Sequence, residues 1–324
     1  MKKIDTRALV EAAILVAIAA VLIIATWYIP FLSIIGVIIW PIPITILTFK
    51  HDLKISIISL VVLFLITAAL TDPISTLMLI LVYGIPAVVL GFCLRRKYSP
   101  FVTIMSMSMS MFVSYIAAIK LSNIIFGTDI MEEFFKLIKD SLETVKNMLR
   151  QYGYSEEYIN QSGAVKALDP DSLRKVFPGL LALASLIGSY INYYLIGIIF
   201  RKLRLKINEV LPLDRWYVSN NLSYGLFFML LVSWLMVYLK VNSAEIVFNS
   251  VFMIFEYTFV IDGLAVASWF LKSRGVPGKV RVFIIIIIMF TPISTLLLFL
   301  GIIDYVIDIR KINPSRRRKA PPGE

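Results

Sequence analysis

Two acids stand where water does not reach. Glu256 and Asp262 fall inside the apolar stretch 244–271. A carboxylate at bilayer depth must be protonated, paired or watered, so each is a candidate functional group. Around them Glu245, Asn249, Phe252, Glu256, Phe259 and Gly263 recur at helical spacing and share one face. Asp262 lies about 120° around that helix from Glu256. In the stretch 177–200, Ser189, Tyr190, Asn192, Tyr193 and Tyr194 bring together polar and aromatic groups of the kind that line small-molecule pockets. Trp40-Pro41-Ile42-Pro43 removes two backbone donors two residues apart, which breaks or kinks its span. Freed carbonyls in a membrane belong in protein or along a cavity. Trp40, Asn192, Tyr193, Glu256 and Asp262 are therefore the candidate substrate-binding residues, and their chemistry is binding rather than catalysis.

Other constellations are weaker. The run Met105-Ser-Met-Ser-Met-Ser-Met111 offers thioethers suited to Cu(I). Successive methionines point about 200° apart on a helix, giving two pairs, Met105/Met109 and Met107/Met111, rather than one ring. Methionine and serine at a helix contact are the plainer reading. Cys93 is the one cysteine and His51 the one histidine. An intramolecular disulfide is thereby excluded, and a triad, a Cys–His dyad or a His-rich metal site is disfavoured. No nucleotide loop or metalloprotease helix is present. The expectation is a non-enzyme with neither cofactor nor metal. Asp304, Asp308 and Arg310 read as a local structural ion pair.

The elements that position these residues follow from composition. Hydrophobic residues make up 59% of 324, charged residues 16%, and mean hydropathy is +0.85. Water cannot wet so apolar an exterior, but lipid can cover it. The expected fold is all-α: a polytopic transmembrane helical bundle of about eight or nine segments. The candidate spans are 8–28, 31–49, 55–71, 74–94, 100–126, 177–200, 222–239, 244–271 and 282–303. The net charge of +11 punctuates these spans instead of forming a nucleic-acid patch, so no nucleic-acid partner is expected. With Lys2, Lys3 and Arg7 inside, four basic loops (50–54, 95–97, 201–206, 272–281) also fall inside, which makes the amino terminus cytoplasmic. The first span reads as retained rather than as a cleaved signal.

At the far end, nine crossings would put Arg316-Arg317-Arg318-Lys319 outside. Pro292 interrupts 282–303, so this stretch is expected to enter and leave by one side, with the tail inside. The organisation is then 1–126 for the first helices, 127–176 for an external insertion, 177–310 for the later helices and 311–324 for a basic cytoplasmic tail. Within the insertion, Ile130, Phe134, Leu137, Ile138, Leu142, Val145 and Leu149 share a helical face. That helix is expected to lie on the outer membrane surface, to close over the bundle mouth, or simply to bridge two spans. Asp169-Pro170 should cap a short helix leading into the next span.

Along the first helix, Ala8/Ala12 and Ala13/Ala17 form smooth strips that let another helix approach closely. Leu9-Val-Glu11-Ala12-Ala13, Trp40-Pro41-Ile42-Pro43, Arg95-Arg96-Lys97, Asp262-Gly-Leu-Ala265 and Leu300-Gly-Ile-Ile-Asp304 together resemble the YybS-like family of bacterial membrane proteins. That family in turn resembles the substrate-binding S-components of energy-coupling-factor transporters, over about the first six spans here. The resemblance implies a bacterial cell-membrane protein that binds an unknown small molecule. It also implies that Ala8, Ala12, Ala13 and Ala17 dock on a membrane coupling subunit served by an ATPase. The alternatives are a scaffold or regulator without substrate, and an ion-coupled secondary carrier.

Overall fold

In the computed structural model, which describes residues 6–208, 210–289 and 294–312, regular structure is helical. The expected all-α transmembrane bundle is what the chain forms. Lys2, Lys3, Pro292 and the Arg316–Lys319 tail lie outside the described residues. Two compact units divide the rest: Met1–Ile159 with Leu181–Val210, and Asn160–Leu180 with Leu211–Glu324.

The first unit begins with α1 (Thr6–Tyr28), whose apolar run has no internal breaker. The next apolar stretch is divided at Trp40 into α2 (Leu32–Ile39) and α3 (Pro41–Lys50). Pro41 and Pro43 cannot donate, so the hydrogen-bond ladder lapses there, as the sequence predicts. α4 (Leu53–Ala68) follows. Asp72 accepts from the Ser75 amide and caps α5 (Pro73–Leu79), which passes through a π-helical turn, Ile80–Gly84, into α6 (Ile85–Arg95). Pro86 offers no N–H to this ladder, and the Ile85 amide reaches back to the Ile80 carbonyl. Ser99 caps α7 (Pro100–Phe126), and Gly127 ends it at φ +68°, a conformation cheap only for glycine. α8 (Ile130–Gln151) and the short α9 (Glu156–Gln161) complete this run.

Close backbone contacts hold the unit together. A Cβ on Gly91 would stand 2.6 Å from the Thr45 carbonyl oxygen, so α6 and α3 nearly touch. Thr45 donates to the Ala87 carbonyl across the same seam. Trp40 is fully buried among Ala19, Ile23, Ile44, Leu63 and Ile80. A second cluster joins Leu90, Ile104, Met107, Tyr193 and Phe200.

α10 (Gly163–Ala167) and the first turns of α11 (Pro170–Lys202) belong to the second unit, and the remainder of α11 to the first. The sequence predicts a separate short helix after Asp169. The observed helix instead runs 33 residues unbroken, with Pro178 inside it. Ser172 donates to Asp169 by both its amide and its hydroxyl, which caps the first turn of the helix.

The second unit continues with a 3₁₀ turn at Leu213–Arg215, α12 (Asn220–Tyr238) and α13 (Ala244–Ser273). α14 (Gly278–Met289) and α15 (Ser294–Ile307) follow. The described parts of these two helices are 12 and 14 residues, about 18 and 21 Å. Both far ends are held near the start of α12. Arg281 faces Asp214, Arg310 donates to the Trp216 carbonyl, and the Tyr305 hydroxyl meets Ser223 in the first turn of α12. The start of α14 and the residues around the end of α15 thus both lie beside the start of α12.

Candidate functional site

Helix α7 sorts its methionines as helical geometry requires. Met107 and Met111 are buried, while Met105 and Met109 face outward. The outward pair lines a groove of ≈ 750 Å³ against Leu81 and Ile85 from the π turn and α6. Val113 extends the apolar wall, and Ser106, Ser110 and Ser114 run along its floor at i, i+4, i+8. The π turn sets its far wall, because an extra residue per turn rotates Leu81 and Ile85 out of the ordinary register. The Tyr83 and Tyr115 hydroxyls, 3.4 Å apart, join the same two elements. Such a groove takes an apolar body and offers hydroxyls to one polar edge.

The residues proposed for substrate binding lie elsewhere: Trp40, Asn192 and Tyr193 in the first unit, Glu256 and Asp262 in the second. Trp40 is core, its indole N–H without an acceptor among the described residues. The Asn192 side chain donates to Gly188 one turn back on its own helix. Tyr193 is buried, and its hydroxyl donates to the Asn208 carbonyl, bracing the end of α11 against the following loop. Glu256 is half-buried on α13.

Asp262 belongs to a network the sequence reading missed. The Arg310 side chain is 0% exposed. Its Nη2 donates to Asp262 Oδ1 at 2.7 Å and to Asp304 Oδ2 at 2.8 Å, Nε donates to Asp304 at 3.1 Å, and Nη1 donates to the Trp216 carbonyl at 2.6 Å. One guanidinium therefore serves two buried carboxylates, and Asp262 Oδ2 is enclosed without a donor among the described residues. Sequence reading saw Asp304 and Arg310 as a local pair because they are six apart. The signal for the longer link is the glycine near each acid. A Cβ on Gly263 would stand 2.0 Å from the Leu297 carbonyl oxygen, and one on Gly301 1.9 Å from that of Phe259. α13 and α15 touch backbone to backbone there, which brings Asp262 and Asp304 within reach of one arginine.

Nearby, Asp214 is buried at 4% exposure, with Lys272 at 2.6 Å and Arg281 at 4.0 Å. Burial opposes its charge. The hydrogen bond from Lys272 and the two positive charges more than offset that, and hold its carboxyl below the usual aspartate value.

The alanine strips divide. Ala8 and Ala12 are buried inside the first unit, while Ala13 and Ala17 are exposed. Glu11 finds the basic neighbours expected of it, with His51 Nε2 at 2.9 Å and Lys50 at 3.6 Å.

Among the described residues six helices are long and apolar enough to cross a bilayer, and three shorter apolar ones accompany them. Their outward faces are bare hydrocarbon: Leu65, Phe228 and Leu231 are each at least 60% exposed. Only lipid covers such faces, so the class is a multi-pass helical membrane protein. The family described as "Predicted membrane protein (DUF2232)" matches residues 17–305, and the chain belongs to it. The "Uncharacterized protein YybS" of Bacillus subtilis (strain 168) is 22% identical over 313 residues, 94% of this chain and 98% of that relative. No solved structure matches.

Proposed function

We propose that this protein is a solute-binding membrane subunit of a transport system, and that it takes an amphipathic, largely apolar molecule in the groove between the π turn and α7. The supporting observation is the groove itself. It is an open groove with methionine walls and a serine floor, set beside the π-helical turn. No nucleotide motif occurs in the chain, so energy would come from a partner. The exposed Ala13/Ala17 strip of α1 suits close approach of a partner helix, as the S-component resemblance implies. Native mass spectrometry of gently purified protein tests this reading. A retained small molecule is expected, lost in Ser110→Leu, which fills the groove floor. A bare wild-type chain in every mild detergent, with no coupling subunit recovered, would sink it.

One observation favours a second reading, ion-coupled carriage. The enclosed Oδ2 of Asp262 is where a proton or small cation would sit. That reading requires Asp262→Asn to abolish gradient-driven uptake while the protein still melts cooperatively.

A further inference from the structure

Helix α8 carries an apolar face twice as wide as the bundle uses. Phe135 and Leu142 are buried. Directly beside them Phe134, Leu137, Val145, Met148 and Tyr152 run at spacings of three, eight, three and four, a second stripe on the same side of the helix. All five are exposed, Leu137 at 66% and Tyr152 at 82%. The charges Glu132, Lys139, Glu143 and Arg150 occupy the opposite face. A 22-residue helix, about 33 Å long, thus rests one edge on protein and presents the adjoining edge to something apolar.

What covers that edge follows from where the helix starts. α7 is a membrane-crossing helix, and its last residues Ile124, Ile125 and Phe126 are themselves exposed. α8 begins four residues later, and the link is tied down. Asn123 accepts the Ile130 amide, and Asp129 accepts those of Met131 and Glu132. The stripe therefore continues the lipid-facing surface of α7 at the level where that helix leaves the hydrocarbon. At the far end Tyr152, Tyr154 and Tyr158 are exposed, the last two stacked at 5.1 Å. Tyrosines with an apolar ring and a wet hydroxyl gather at membrane–water boundaries. We infer that α8 is an interfacial anchor, lying along the headgroup boundary with Leu137 and Met148 in the acyl region of the leaflet at the C-terminal end of α7.

Spin labels read this directly. In full-length protein carrying Cys93→Ser, reconstituted in phosphatidylethanolamine–phosphatidylglycerol vesicles, nitroxides are placed at Leu137→Cys and Met148→Cys, and at Lys139→Cys and Asn147→Cys as polar-face controls. The ratio of collisions with lipid-soluble oxygen to collisions with a water-soluble nickel chelate is expected to be several-fold higher at the two stripe positions. Equal ratios at all four sites would place the stripe in water and overturn the inference. Protection of the stripe from both reagents would mean protein covers it, and would overturn it equally.

Discussion

Arg310 holds two buried carboxylates with one guanidinium. Its removal would strand Asp262 and Asp304 as buried acids without a counter-charge. Breaking a buried pair this way costs about 3–5 kcal/mol. Arg310→Ala should therefore lower the thermal midpoint in detergent sharply, and Asp262→Asn less. Arg310→Lys should fail to rescue fully, because a single ammonium nitrogen cannot reproduce the spread of donors that Nε, Nη1 and Nη2 present to two carboxylates and a carbonyl. Asp214 makes a pH prediction. A carboxyl depressed on folding adds stability above its unfolded value near pH 4, and that increment is lost as pH falls through the lower folded value. Acid melts should show this loss, and Asp214→Asn should flatten the acid limb while lowering stability at neutral pH. At this scale the sequence revealed which residues were costly but not their partners. Asp262 was visible as an acid among apolar neighbours. Arg310 is 48 residues away in the chain, and nothing local marks their meeting.

The seams between helices are set by glycine. A side chain on Gly301 would drive into the Phe259 carbonyl and pry α15 off α13. Overpacking of this kind costs about 1–3 kcal/mol or more. Gly301→Val should weaken the same region as Arg310→Ala, and the double variant should lose less than the sum, since both dismantle one contact. Helix positions were well legible in the sequence. Apolar runs separated by basic loops placed the long helices, and Trp40-Pro41-Ile42-Pro43 marked its own interruption. The π turn was not legible, because Ile80–Gly84 is apolar in type and ordinary in spacing. Only the carbonyl that Pro86 leaves unpaired explains it, and proline more often produces a simple kink. The groove was missed for the same reason, although the pairing of methionines that shapes it was read correctly.

Across the whole molecule, the expected bundle and its lipid-facing exterior followed from hydropathy and charge. Which helices become neighbours did not, since spacing along a chain carries no information about it. The expected returning segment is directly testable. In a Cys93→Ser background, cysteines at Arg215, Lys279 and Lys311 should react with an impermeant maleimide from one face of sealed vesicles, and Val241→Cys from the other. Labelling of Lys311→Cys together with Val241→Cys would mean the segment crosses. The arginine latch also bears on how the protein is made. Asp262 leaves the ribosome 48 residues before the cation that neutralises it, so for that interval the growing chain holds an acid with no mate. A product terminated before Arg310 would keep that defect permanently. Shortened chains should be cleared by membrane proteases while full-length ones persist.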